Sequence, residues 1–305
     1  MSDGERDLVR WLMRRLPARP GVPIGIGDDM AALRVDGPLV LVTCDMLLDG
    51  VHFQTIRHSL AAIGRKAANC SLSDCAAMAV KPVGAVLSLA LPRGLALGKT
   101  QELIEALASA CEKYECPLVG GDTTSWPHPL AIDVTMLATP HDGVKPVTRS
   151  GARPGDRLFV TGLLGGSLLG HHLDFEPQLA RSLLLAQTLG DRLHAMMDIT
   201  DGLAIDLDRI CEASGVGAIL DERAVLGQAS AAARELSAES KRPLLDHILG
   251  DGEDFELLYA ADSAEEELSA LGDVQVGEIV SGSGLQLRGL DGKLRPLEPK
   301  GYQHL

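Results

Sequence analysis

A chain of 305 residues exceeds the usual size of a single hydrophobic core, so two domains of roughly 150 residues are expected. Apolar residues make up 46% and aromatics only 3%, which excludes long disorder and leaves Leu, Ala, Val and Ile to build the cores. A formal net charge of −14 excludes a basic nucleic-acid-binding face. Carboxylates can still meet phosphates where divalent cations lie between them.

From the N terminus, Asp3 to Leu16 is an amphipathic segment, with Trp11, Leu12 and Leu16 on one side and Arg6, Arg10 and Arg14 elsewhere. It lacks the apolar core of a secretory signal. Leu39-Val40-Leu41-Val42 is a short apolar run ending at Asp45, the pattern of a buried strand. Ser59 is placed to cap a helix carrying Leu60, Ile63, Ala67 and Cys70 at helical spacing. Val83 to Leu91, bounded by Pro82 and Pro92, reads as a strand and is too short to span a bilayer. Thr100 to Glu115 puts Leu103, Ile104, Leu107, Cys111 and Tyr114 on one helix face, and Leu130 to Ala138 is a further strand.

Thr139 to Pro154 holds Pro140, Gly143, Pro146, Gly151 and Pro154 and is the best domain boundary. Domains are therefore expected over 1–140 and 149–305. Beyond the boundary, strands are expected at Arg157 to Val160, Gly217 to Leu220, Phe255 to Ala260 and Val274 to Val280, with helices at Leu179 to Leu189 and Leu203 to Ala213. The fold class is α+β, as an α/β two-domain chain. Six scattered cysteines (Cys44, Cys70, Cys75, Cys111, Cys116 and Cys211) without a signal segment read as thiols of a cytoplasmic protein. The five-residue spacings of Cys70 with Cys75, and of Cys111 with Cys116, suit buried small hydrophobes better than zinc. His171-His172 reads as a surface pair.

The informative acidic residues occur beside glycine or at the ends of apolar runs, where turns are expected: Asp28-Asp29, Asp45, Asp74, Gly121-Asp122, Asp198 with Asp201, and Asp251 to Asp254. Magnesium explains such a set, because it takes hard oxygen ligands and shares them with substrate phosphates. Without a cation, gathered carboxylates would repel one another. Two phosphate-loop patterns fail. Gly25-Ile26-Gly27 lacks a third glycine, Met30 standing in its place, and Gly94 to Thr100 is one residue short of a P-loop. Gly98-Lys99-Thr100 is then a turn into the next helix. Gly165-Gly166-Ser167 fits either a phosphate or a cap.

Taken in order, Gly25-Ile26-Gly27-Asp28-Asp29, Thr43-Cys44-Asp45, Gly50-Val51-His52-Phe53, Ser71-Leu72-Ser73-Asp74, Gly120-Gly121-Asp122-Thr123-Thr124, Thr148-Arg149-Ser150-Gly151, Asp198-Ile199-Thr200-Asp201-Gly202 and Gly252-Glu253-Asp254-Phe255-Glu256-Leu257 resemble the thiamine-monophosphate kinases. That family shares a superfamily with aminoimidazole ribonucleotide synthetase and selenophosphate synthetase. The resemblance implies ATP-dependent, in-line phosphorylation of thiamine monophosphate to thiamine diphosphate, with several Mg²⁺ ions near an inter-domain crevice. It also implies a homodimer whose N-terminal mixed sheets pair into a barrel, and a sandwich-like C-terminal domain. By the same resemblance Asp29, Thr43, Cys44 (through its backbone or side chain), Asp45, Asp74, Asp122, Asp198 and Asp201 are metal ligands. Gly121, Asp122, Arg149 and Thr200 then contact nucleotide, and Asp45, Asp122 and Arg149 carry the catalysis. His52, Glu253, Tyr302 and Pro299 are implied substrate contacts, Pro299 standing where the family places an aromatic residue. A sister ATP-dependent synthetase and a two-metal phosphohydrolase are the alternatives. Neither nucleic acid nor membrane is an expected partner.

Overall fold

The computed structural model describes residues 23–24, 27–34, 37, 39–263 and 271–303 together with Met13 and Leu268. The rest of the amphipathic segment, and Gly25-Ile26, lie outside the described residues. The N-terminal part runs β1 (Ala31–Arg34), β2 (Leu39–Leu48), α1 (Leu60–Ala77), β3 (Val80–Pro92), α2 (Leu97–Glu112), β4 (Leu118–Trp126) and β5 (Ala131–Pro140). Its five strands lie in the order β1-β2-β5-β3-β4, antiparallel except for the parallel pair β3/β4. Alternation sets the buried face: Ile132, Val134, Met136 and Ala138 of β5 all point into the core with Leu41 and Leu47 of β2.

Helix α1 covers that face with Ile63, Ala67 and Leu72, and the Ser59 hydroxyl caps it by accepting from the Ala62 amide at 3.2 Å. At Gly64 the two helices nearly touch, since a Cβ there would lie 2.3 Å from the Leu103 carbonyl oxygen. The other sheet face carries Met46, Val83, Val86 and Leu137, all exposed in the single chain.

Strand β3 takes in both prolines expected to bound it, beginning before Pro82 and ending at Pro92. The register shifts between Pro82 and Gly84, and a bulge is where a strand tolerates a residue without an N–H. Helix α2 begins earlier than expected, so Gly98, Lys99 and Thr100 form its first turn.

The C-terminal part holds β6 (Arg157–Val160), α3 (His171–Asp174), α4 (Leu179–Leu189), β7 (Leu193–Asp198), α5 (Leu203–Ser214) and β8 (Gly217–Asp221). It continues through α6 (Glu222–Gly227), α7 (Ala231–Ser240), α8 (Leu244–Gly250), β9 (Leu257–Ala261), β10 (Val274–Val280), β11 (Gly284–Arg288) and β12 (Leu294–Leu297). The seven strands are ordered β12-β11-β8-β10-β6-β9-β7, and only β8/β11 is parallel. Leu158 and Val160 of β6 pack with Leu203, Leu207 and Ile210 of α5 on one face. On the other, Phe159 stacks on Tyr259 with ring centroids 5.3 Å apart, and α4 covers them with Leu185 and Leu189.

The core that α4 covers also contains Ala76 of α1 and Ala79, just past the end of that helix. The two α+β domains thus share apolar packing, and α1 lies between their sheets. No described helix is long and apolar enough to cross a membrane.

Candidate active site

Helix α1 presents polar groups on two flanks. Lys66, Asn69 and Ser73 follow helical spacing, are all buried, and each reaches the C-terminal domain. Lys66 Nζ meets Glu253 at 2.5 Å, Asn69 donates to the Phe175 carbonyl at 2.7 Å, and the Ser73 hydroxyl donates to Asp198. The other flank serves the N-terminal sheet, with Ser71 donating to Asp45 at 2.6 Å and Asp74 accepting from the Thr43 hydroxyl. Ser71 and Ser73 stand two residues apart, so a helix points them to opposite sides. The Ser-Leu-Ser-Asp run thereby orients carboxylates of both domains.

Asp29, Asp74 and Asp198 converge: one carboxylate oxygen from each lies within 4.8 Å of the others. They come from the loop before β1, from α1 and from the end of β7. Burial, reinforced by Asp45, Asp198 and Asp29, pushes the Asp74 carboxyl well up. Burial and the Asp29 charge do the same to Asp198, and burial raises Asp45 to about 6. Such a group of hard oxygens, unfavourable when ionised alone, suits a divalent cation. Arg149 already supplies one positive charge, binding Asp29 through Nε at 2.8 Å and Nη2 at 2.6 Å. Its amide also donates to Asp28 at 3.2 Å, and Asp28 is pushed up to about 6 by burial and by Asp29.

The turn after β7 is built around Asp206. One of its oxygens accepts from the amides of Thr200, Asp201 and Gly202 at 3.0, 3.0 and 3.1 Å. Arg209 bridges Asp201 and Asp206 at 2.6 Å each. Gly202 is required there, because its φ is +127° and a Cβ would lie 2.9 Å from the Gly250 Cα.

Asp45, Asp74, Arg149, Asp198, Asp201 and Arg209 border a crevice of about 790 Å³, within the range of small-molecule sites. Seven carboxylates line it against three cationic side chains, Lys66, Arg149 and Arg209. Of the residues expected from the sequence, Cys44, Asp45, His52, Asp74, Arg149, Asp198, Thr200, Asp201, Glu253 and Tyr302 line this crevice. Asp29 and Thr43 lie behind it through their bonds to Arg149 and Asp74. His52 accepts from the Leu48 amide at Nδ1, 3.0 Å away, which places the neutral ring's proton on Nε2. Tyr302 is tied down by its amide, which donates to the Asp201 carbonyl at 2.9 Å. Burial, then the charges of Asp133 and Asp45, pushes the Cys44 thiol up, making its sulfur a poor ligand for a hard cation.

Three expected site residues lie elsewhere. Pro299 is half-buried but does not line the crevice. Gly121 and Asp122 lie in β4, opposite Leu87 and Ser88 of β3, with Asp122 exposed on the edge strand. Met46, Asp133, Ser88 and Asp122 form one row across the sheet. Asp122 is thus three strand spacings, about 14 Å, from Met46 at the crevice wall. Gly121 has a packing reason of its own, since a Cβ there would sit 1.9 Å from the Leu87 carbonyl oxygen.

Three of the six acidic motifs expected in turns fall inside regular elements. Asp45 is within β2, Asp74 within α1 and Asp122 within β4. A strand or helix can carry an inward carboxylate when a hydroxyl partner or a sheet edge accommodates it. The Gly165-Gly166 turn meets protein anions, its amides donating to Asp254 at 2.8 Å and Asp251 at 3.0 Å. His172, expected at the surface, is buried with Nδ1 2.8 Å from the Ser167 carbonyl oxygen, and burial lowers its pKa to about 4. Sequence reasoning gave no role to Lys66, Ser71, Ser73, Asp206 or Arg209. The serines stood in a quoted motif, whereas nothing local marks a helical lysine as buried.

The match to the AIR synthase related protein models is extensive: the N-terminal domain model covers residues 27–139 and the C-terminal domain model 153–288. The thiamine-monophosphate kinase of Rhodopirellula baltica is 38% identical over 98% of this chain and 97% of its own length. That of Aquifex aeolicus is 33% identical over 99% and 98%. Among solved structures, AaThiL complexed with AMPPCP and TMP superposes with a TM-score of 0.81 at 28% identity, covering 99% of this chain and 97% of that one. With its acidic centre between two such domains, the chain belongs to the thiamine-monophosphate kinases of the AIR synthase-related family.

Proposed function

We infer that this protein transfers the γ-phosphoryl group of ATP to the phosphate of thiamine monophosphate, releasing ADP and thiamine diphosphate. The observation that carries the reading is the convergence of Asp29, Asp74 and Asp198 from both domains, in a chain similar along its whole length to thiamine-monophosphate kinases. A phosphate monoester oxygen is already ionised near neutral pH, so the attacking group needs no strong base. The protein's task is positioning two polyanions in line and neutralising them.

Magnesium is the cation that the oxygen-rich donor set favours, held by Asp29, Asp74 and Asp198 with Thr43, Asp45 and Asp201 around them. Bound there, Mg²⁺ would neutralise the phosphate oxygens. Arg149 and Thr200 are assigned to nucleotide, and His52, Glu253 and Tyr302 to thiamine monophosphate. Glu253 supplies a negative charge for the thiazolium cation. Gly121 and Asp122 join the nucleotide site if the phosphates extend from the crevice across the sheet toward β4. Residues 1–140 are read as the metal, ATP and dimerisation domain, and residues 149–305 as the domain completing the site. A homodimer is supported by the open sheet face bearing Met46, Val83, Val86 and Leu137 and by the exposed edge strand β4.

The deciding experiment supplies ATP and Mg²⁺ with thiamine monophosphate, thiamine or water as acceptor. Only thiamine monophosphate should be phosphorylated, and Asp45→Asn and Asp122→Asn should each abolish turnover with an unchanged circular dichroism spectrum. Phosphate release to water alone would instead identify a phosphohydrolase, and full activity in either variant would remove that residue from the centre.

A further inference from the structure

Lys66 is an unusual residue to find at 0% exposure, because an ammonium removed from water must be repaid by close acceptors. It has two: Glu253 Oε1 at 2.5 Å and the His52 carbonyl oxygen at 2.7 Å. These belong to the loop after β2 and the loop before β9, one in each domain. Both residues line the crevice, and both are the proposed contacts to thiamine monophosphate. Glu253 also needs holding for a second reason. Its φ is +53°, a conformation that a residue with a Cβ adopts only where its surroundings enforce it. The Glu253 amide is pinned to the Thr200 carbonyl at 2.6 Å and the Phe255 amide to the Ile199 carbonyl at 2.9 Å. Lys66 fixes the side-chain end. One turn along α1, Asn69 holds Phe175, whose ring stacks on Phe255 with centroids 3.7 Å apart.

We propose that Lys66 is a positioning residue for the acceptor substrate, a single buried cation that locks the His52 loop and the Glu253 carboxylate together across the domain boundary. This rests on the kinase reading above. An ion pair of this kind gives little net stability over a well-packed apolar pair; its effect is to fix two substrate-facing groups from different domains relative to each other. Its loss therefore falls first on thiamine monophosphate, because the Lys66 ammonium bonds the His52 carbonyl and the Glu253 carboxylate, whereas Thr200 meets that loop only through its backbone carbonyl.

The test is steady-state kinetics of Lys66→Met, Glu253→Gln and the double variant, with both substrates varied. Lys66→Met should raise KM for thiamine monophosphate on the order of tenfold, as loss of a supporting partner does, with KM for ATP and kcat changed less than about twofold. In the Glu253→Gln background the same substitution should add less than about threefold, because residues acting as one unit are not additive. The double variant removes both charges of the pair and leaves neither unpaired, so it folds even if Lys66→Met alone does not, and it is compared with Glu253→Gln directly. Equal rises in both KM values, a fall in kcat alone, or fully multiplicative effects in the double variant would overturn the proposal while leaving the kinase assignment standing. A wild-type protein that cannot phosphorylate thiamine monophosphate would defeat both.

Discussion

Asp45, Asp74 and Asp198 each accept from a hydroxyl, those of Ser71, Thr43 and Ser73, and Asp29 is gripped by Arg149. Short donors on rigid elements leave the carboxylates little rotational freedom, which preorganises them. The Asp29 side chain is 0% exposed, so removing its guanidinium partner leaves a buried charge unpaired, at a cost of roughly 3 kcal/mol. Arg149→Met should accordingly lower Tm in chelator, and added Mg²⁺ should raise Tm more in this variant than in the wild type. Calorimetry in EDTA and in MgCl₂ checks both. Asp254 gives a second, pH-dependent prediction. One oxygen accepts from Gly165 N and Ser167 Oγ, the other has no partner among the described residues, and burial pushes its carboxyl from 3.8 to about 7. A raised carboxyl means the folded chain keeps a proton that the unfolded chain has lost, so stability falls as pH rises from about 4 to about 7. Asp254→Asn should remove that fall. The Tm of the variant relative to wild type should increase between pH 5 and pH 8.

Helix α1 is the element on which the site depends, because one stripe of it binds the second domain while its other polar flank orders β2. It approaches α2 closely at Gly64. Gly64→Ala forces a methyl group against the Leu103 carbonyl and should cost roughly 1–3 kcal/mol, measured by urea unfolding. Gly98→Ala, in the first turn of α2 where a Cβ meets nothing within 4 Å, should instead stabilise by up to about 1 kcal/mol. The contrast separates packing from helix propensity. It also shows what was legible locally: the Ser59 cap and the apolar spacing announce α1, whereas the partner of its glycine belongs to another helix.

At the level of the whole molecule, the crevice exists because two sheets with separate cores also share one, through Ala76 and Ala79. The N-terminal sheet leaves a face bearing Val83, Val86 and Leu137 uncovered, the face assigned to the dimer. Val86→Lys should shift the protein toward a monomer in sedimentation velocity. An unchanged sedimentation coefficient in wild type and variant would place the dimer contact elsewhere or deny it.

Read alone, the sequence determined what depends on neighbours along the chain: the strands at Arg157 to Val160 and Val274 to Val280, the helix at Leu179 to Leu189, the acidic motifs and the family they resemble. Side-chain period, caps and glycine turns are local properties, and a linear pattern records them. Tertiary structure alone decided that Asp29, Asp74 and Asp198 meet while Asp122 lies on a distant edge strand, that Arg149 is spent on Asp29, and that Lys66 is buried between two loops. Each of those facts depends on residues far apart in the chain approaching within hydrogen-bonding distance. Such distances follow from how the sheets and α1 pack, not from any spacing along the chain.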